Sequence, residues 1–214
     1  GVATVVGSGR PVEGEEVTDA TPLVRLHEDD DVVAVQKPSG EPVIPARDGS
    51  AQDCVQRRLE RQLGRRLWVV HRIDKDASGV VVFALNAEAH RALSLAFEHR
   101  QVSKTYAAFV AGSIEPPQGC LDVPLHPARK GKTRPARPGE PGAQAATTEY
   151  VTQRRWTLPA GFVSLLEACP HTGRHHQIRV HLRAAGVPIL FDPLYGRGLT
   201  PEAPAEAGHA RRWR

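Results

Sequence analysis

The 214-residue chain has no methionine, three cysteines and 5% aromatic residues. Each scarcity narrows what the protein can be. Cys54, Cys120 and Cys169 stand far apart, no C-x-x-C pair occurs, and an odd number does not make a disulfide framework. A reducing, cytoplasmic compartment is therefore the expectation. Long apolar runs are missing as well. Val80–Leu85 falls far short of the roughly 20 residues that a membrane-spanning helix needs, so no membrane partner is expected. Gly1–Glu16 has no continuous apolar core, and no signal peptide is expected there. With glycine first and methionine absent, the original start is expected to have been processed or trimmed away.

Lysine is scarce too. Of 28 basic residues, 23 are arginine and five are lysine, and the net charge is +4. Guanidinium is planar and forks two hydrogen bonds, which suits phosphates and stacked bases. A GC-rich genome produces the same bias, and basic charge alone points only weakly to nucleic acid. What remains is ordinary: 40% hydrophobic and 24% charged residues, the balance of a globular protein. The length fits one large domain or two small ones.

Residues 1–21 are rich in Gly, Pro, Glu and Thr and read as an N-terminal arm. Structure is expected from Pro22 to about residue 200, followed by a tail over 201–214. Leu23–Leu26, the acidic Glu28–Asp31 and Val32–Val35 read as strand, turn, strand, running into the turn Lys37-Pro38-Ser39-Gly40. Ser50–Leu63 reads as a helix with a capping-box-like Ser50/Asp53 start, a Val55/Leu59/Leu63 core stripe and a Gly64 stop. The off-stripe arginines, Arg57, Arg58, Arg61, Arg65 and Arg66, make either a solvated or a phosphate-binding face. Trp68–Val70 and Val80–Phe83 read as buried strands around an ionic loop. Asn86 caps a second helix to about Arg100, with Leu93 and Phe97 inward. Thr105–Val110, Thr148–Thr152 and Phe162–Ala168 read as strands, and Thr172–Ala185 as a loop and helix ended by Gly186. Residues 128–146 read as a long flexible loop. Strands dominate without a strict βαβ alternation, which predicts an α+β fold.

Two segments could carry chemistry. In His71-Arg72-Ile73-Asp74-Lys75-Asp76-Ala77-Ser78-Gly79, carboxylates sit among cations between two apolar strands. A carboxylate held beside Arg and Lys is favoured in its ionised form and suits a nucleophile or base. The same residues also fit a hairpin turn pinned by salt bridges. In Thr172–Arg183, Ile178 and Leu182 share one helix face and Arg179 and Arg183 another. Either the arginines meet RNA phosphates or they form a plain outer face. Other chemistries fall away. His171, His175, His176 and His181 have neither an H-E-x-x-H spacing nor an acidic neighbour, so no metal is expected. Gly131-Lys132-Thr133 lacks the glycine and helix of a phosphate loop, and Gly7-Ser8-Gly9 has no preceding strand. No G-x-S-x-G occurs. No cofactor is expected.

Taken together, the motifs resemble those of the RluA-type pseudouridine synthases. The resemblance rests on His71-Arg72-Ile73-Asp74 with Ala77-Ser78-Gly79, on Lys37-Pro38-Ser39-Gly40, and on Lys104-Thr105-Tyr106-Ala107-Ala108 with Gly112. It also rests on Thr172 through His181 and on Asp192-Pro193-Leu194-Tyr195-Gly196. The departures are Ile73 for Leu, Ala77 for Thr and Phe191 where Gly is usual. The resemblance implies an α+β catalytic domain around a large mixed, mainly antiparallel sheet with a central cleft. It implies Asp74 as nucleophile or initiating base, Tyr106 as stacking and proton-transfer residue, and Arg179 as the partner of Asp74. Arg72 would fill the gap left by a flipped uridine, and His71, Lys37, Arg174, His176 and Arg183 would contact RNA. The partner would be structured ribosomal or transfer RNA, with no obligatory protein partner. An S4-type RNA-binding domain, common in relatives, does not fit in residues 1–21. The competing reading is a non-catalytic RNA-binding protein on the same fold.

Overall fold

A computed structural model of the chain describes residues 2–5, 22–45, 53–159 and 161–196. The four-stranded sheet comes mostly from the first half. It contains β2 (Arg25–Glu28), β3 (Val32–Lys37), β4 (Trp68–Val69) and β5 (Gly79–Ala84), in the order β2-β3-β5-β4, all antiparallel. Asp29 forces the β2–β3 turn, its Oδ1 accepting from the backbone N–H of Asp31 and Val32. Alternation then places Val33 and Val35 on the inner face, against Val81 and Phe83 of β5, and all four are fully buried.

Helix α1 (Val55–Leu63) buries Val55 and Leu59 in the same core. Gly64 ends it in the left-handed region at φ 63°, as expected. Its start corrects the expected capping box: Cys54 is the N-cap and makes no side-chain cap bond. Asp53 pairs with Arg61 at 3.3 Å, and Ser50 lies outside the described residues. The Asn86 cap does form, its Oδ1 accepting from Ala89 N–H at the start of α2 (Ala87–Glu98).

The second sheet has five strands. β1 (Val2–Val5), β6 (Thr105–Ala111), β7 (Gln118–Asp122), β10 (Thr147–Leu158) and β11 (Gly161–Pro170) lie in the order β1-β6-β11-β10-β7. Only β1–β6 is parallel among these pairs. The antiparallel character expected from the sequence is thus divided between two sheets rather than carried by one large one. Val2–Val5 also corrects the arm, which was expected to lack regular structure. Helix α3 (Gln177–Ala184) closes one face of this sheet, with Ile178 and Leu182 packed on Ala108, Val110 and Leu166.

The expected flexible loop over 128–146 is a further correction. β8 (Leu125–Ala128) and β9 (Lys132–Pro135) form a two-stranded ribbon, Leu125 and Gln144 exchange backbone bonds, and Arg134 forks Glu140. The glycines that suggested disorder are turn positions, with φ of 65° at Gly131, 71° at Gly139 and 80° at Gly142. Leu125 and Ala146 pack with Val180 and Tyr195, anchoring the ribbon to α3. Tyr106 packs against the cores of both sheets, so the gap between the sheets opens at its ring.

Candidate active site

The ionic loop is built from below. Ile73 and Ala77 plug into the core of the first sheet, and Ala77 N–H donates to the Asp74 carbonyl, which turns the chain between them. Asp74 is held up out of this turn, with its side chain 29% exposed. The neighbouring Lys37-Pro38-Ser39-Gly40 turn clamps the loop's far side. Gly40 N–H and Lys37 Nζ both donate to the Lys75 carbonyl, and Ser39 Oγ donates to that of Asp76.

This clamp corrects the expected role of Lys37. It is fully buried, and its ammonium donates to the Pro38, Glu41 and Lys75 carbonyls at 2.6–2.9 Å. Burial pushes its pKa down to about 8, against the raising charge of Glu41. A lysine with its donors turned inward does not reach RNA. His71 is corrected in part. It lines the cleft, but its Nε2 accepts Val82 N–H at 3.0 Å and its ring stacks on Phe97 with centroids 4.7 Å apart. Burial, helped by the charge of Lys104, pushes it down to about 4, so it is a neutral structural ring at pH 7.

The opposite wall comes from the turn into α3. Gln177 is buried, and its side chain satisfies four groups. Oε1 accepts from Thr172 Oγ1 and Arg174 N–H, while Nε2 donates to the Thr147 carbonyl and Thr148 Oγ1. Thr148 Oγ1 also bonds His181 Nδ1, and His181 Nε2 donates to the Val123 carbonyl. His181 is thereby a buried strut and not a ligand. No group of three or more metal-ligating side chains forms among the described residues.

Arg179 overturns the plain outer-face reading of α3. It is 7% exposed, with its guanidinium between two carboxylates. Nε and Nη2 fork the Asp192 carboxylate at 2.8 and 2.9 Å, and Nη1 donates to Asp74 Oδ2 at 3.0 Å. Burial alone would lower its pKa, but the Asp192 bond and the charges of Asp192 and Asp74 outweigh that and raise it. Asp192 is also buried, which by itself raises its pKa. Arg179 and the backbone N–H groups of Tyr195 and Leu194 lower it overall. The sequence reading gave Asp192 no role. The signal that could have found it is electrostatic: a buried arginine needs a buried carboxylate.

The walls enclose a cleft of about 550 Å³. Asp74, Tyr106, Arg179, Arg72, His71, Arg174 and His176 line it, while Lys37 and Arg183 do not. Arg183 instead donates to the Tyr195 carbonyl. Tyr106 faces this space from β6, and burial first and the Asp74 charge second raise its hydroxyl pKa. Lys104, which the sequence reading also left without a role, lines the same cleft, half-buried and with its pKa lowered by burial. An anionic carboxylate, a phenol and several cations thus converge on a space of nucleotide size.

The comparisons with known proteins agree with this geometry. The RNA pseudouridylate synthase family matches residues 31–184. The Escherichia coli dual-specificity RNA pseudouridine synthase RluA is 38% identical over 188 residues, covering 86% of this chain and 81% of that protein. The Nitrosomonas europaea ribosomal large subunit pseudouridine synthase D is 34% identical over 195 residues, covering 88% of this chain and 54% of its own. The chain therefore spans about half the length of the latter. Among solved structures, human RNA pseudouridylate synthase domain containing 4 superposes with a TM-score of 0.66 at 29% identity, covering 85% of this chain and 72% of that one. The chain belongs to the RNA pseudouridylate synthase family, the RluA-type isomerases that act on RNA.

Proposed function

We propose that the chain isomerises a specific uridine in structured ribosomal or transfer RNA to pseudouridine, with Asp74 as the reacting group. The observation that carries the reading is the placing of Asp74: a carboxylate at the cleft, fixed by an arginine whose other two nitrogens are bonded to Asp192. A stacked uridine hides both its glycosidic bond and C5, so the nucleotide must leave the helix to enter a cleft of this kind. Asp74 then starts the reaction that breaks the N1–C1′ bond. The uracil turns within the cleft, C5 bonds to C1′, and the C5 proton departs while N1 gains one. Atoms and electrons balance without an external reactant. Tyr106 supplies a ring for the uracil and a phenol near C5, and Arg179 keeps Asp74 oriented. Arg72 and Arg174, both at the cleft, face the RNA backbone or the vacated stack.

Substrate class draws support from the relatives: one is named for the large ribosomal subunit, another as dual-specific. Among the described residues no helix is long and apolar enough to cross a membrane. All three cysteines are free, in keeping with a reducing cytoplasm. The test is to map pseudouridines in cellular RNA incubated with the protein and with Asp74→Asn. The wild type should add pseudouridine at discrete sites. The variant should add none while its RNA affinity stays within about tenfold, or 1.4 kcal/mol. Substantial turnover by Asp74→Asn removes Asp74 from the role, and an inactive wild type removes the reading.

A further inference from the structure

Asp74 has two oxygens in different surroundings. Oδ2 takes the Arg179 Nη1 hydrogen bond at 3.0 Å and also lies 4.0 Å from His176 Nε2. Among the described residues Oδ1 receives no hydrogen bond. The identity of the proton on His176 follows from its other nitrogen. Thr133 N–H donates to the Tyr195 hydroxyl oxygen at 2.9 Å, and that hydroxyl lies 2.8 Å from His176 Nδ1. With its oxygen already accepting, and no other acceptor for it among the described residues, the hydroxyl directs its own proton to Nδ1. A neutral His176 then carries its hydrogen on Nε2, the nitrogen beside Asp74. Burial, only partly opposed by the Asp74 charge, holds the ring neutral by pushing it down to about 4.

The relay is built rather than incidental. His175 stacks on His176 with centroids 3.6 Å apart, and its Nδ1 bonds Thr133 Oγ1 at 3.2 Å. Thr133 belongs to β9, so the β8–β9 ribbon reaches the site twice, its backbone N–H at Tyr195 and its side chain at His175. Tyr195 is fixed in turn by Asp192, whose Oδ1 accepts the Tyr195 N–H at 3.0 Å. Asp192 thus sets both groups that bear on Asp74 Oδ2, Arg179 directly and His176 through Tyr195. His176 itself sits in the left-handed region at φ 55°, a conformation that His and Asn adopt more readily than most residues with a β-carbon.

We propose that His176 is a positioning residue for the isomerisation, whose Nε2–H, set by the Thr133–Tyr195 relay, bears with Arg179 on Asp74 Oδ2 and turns Oδ1 toward the substrate. The inference rests on the proposed role of Asp74. It moves His176 from RNA contact to catalytic support, and it makes the ribbon a part of the active site.

The test uses three variants of the whole chain with an RNA that the wild type modifies. His176→Asn removes the imidazole but tolerates the left-handed backbone. Tyr195→Phe removes only the hydroxyl that sets the tautomer. His176→Gln returns an N–H near the position of Nε2. A misdirected reacting group costs about tenfold to 100-fold in rate. His176→Asn and Tyr195→Phe should each lower kcat by that much, with KM and RNA Kd within about twofold, the scale of near-neutral contacts. His176→Gln should recover part of the loss. His176→Asn should melt no lower than the wild type, which separates positioning from a structural role. Wild-type kcat in both His176→Asn and Tyr195→Phe, alongside an inactive Asp74→Asn, overturns the relay and leaves the proposed function standing. A loss confined to KM and Kd also overturns it and returns His176 to RNA binding. If the wild type forms no pseudouridine, the underlying reading has failed instead.

Discussion

Asp74 and Asp192 share one guanidinium, and the structure predicts different stabilities on removing their charges. Asp192 is 5% exposed, accepts a fork from Arg179 at 2.8 and 2.9 Å, and takes two backbone N–H bonds at 2.9 and 3.0 Å. In Asp192→Asn the amide NH2 must face a guanidinium donor or a backbone N–H, whichever way it turns. Breaking a buried ion pair by removing one partner costs about 3–5 kcal/mol, because the remaining charge is left uncompensated. For a chain of this length each kcal/mol shifts the melting temperature by about 2–4 °C, so a fall of roughly 6–20 °C is expected. Asp74 makes one bond to the same arginine, from a side chain that is 29% exposed. Solvent screens that contact, and Arg179 keeps its fork in Asp74→Asn, so the change should stay within about 1 kcal/mol. Thermal and urea melts of both variants, read beside pseudouridine formation, separate the cases. Asp74→Asn should be folded and inactive, whereas Asp192→Asn should be destabilised and should lose activity as Arg179 drifts. If Asp74→Asn is destabilised as much as Asp192→Asn, the division of the guanidinium between anchor and reacting group is wrong.

Further expectations follow from the same contacts. Lys37→Met removes the donor that the Pro38, Glu41 and Lys75 carbonyls share, at about 1–3 kcal/mol in all, and should lower stability and turnover while leaving the salt slope of RNA binding unchanged. A smaller salt slope with normal stability would restore Lys37 as an RNA contact. His71 falls from an ordinary 6.5 to about 4 in the fold, so between those values the unfolded chain holds a proton that the folded one refuses. Stability is therefore full above pH ~6.5 and is lost toward pH ~4, by about 3 kcal/mol from this group. Urea midpoints across that window should change less in His71→Gln than in the wild type, and an identical slope refutes the assignment. Tyr106→Phe keeps the ring between the two cores and removes the phenol, so turnover should fall roughly 100-fold at unchanged melting temperature and RNA affinity. Wild-type turnover there would make Tyr106 a packing residue only.

The elements that the sequence made legible are those whose cause is local. Asn86 caps α2 because its own side chain reaches Ala89 three residues on, and Gly64 ends α1 because only its own backbone must turn left-handed. Asp74, Tyr106 and Arg179 were legible through motifs, and the fold brings all three to one cleft. The misreadings have a different cause. Lys37 stands in phase with Val33 and Val35 on the inner face of β3, so the alternation already placed it inside. Its charge argued the other way, because a lone ammonium is costly to bury. The carbonyls that offset that cost come from Pro38, Glu41 and, 38 residues away, Lys75. The outer-face alternative for Arg179 stayed open in the helix pattern for the same reason, since its partners lie 13 and 105 residues distant. Residues 128–146 were read as a loop because their glycines and prolines are visible, while the anchors of Thr133 on Tyr195 and His175 are not.

Lys37 and Arg179 share one physical feature. A buried charge is stable only where the fold supplies its partners, and those partners leave no periodic trace. The same feature gives the cleft its chemistry. Lys37 fixes the loop beneath Asp74, Arg179 fixes the carboxylate, and Asp192 fixes Arg179 and Tyr195 together. Each of these charges is costly to desolvate alone, so none can be removed or added singly without a loss. Lys37 and Asp192, the two charges whose burial the sequence left unread, thus support the cleft from behind, Lys37 under the loop that carries Asp74 and Asp192 through the arginine that Asp74 shares.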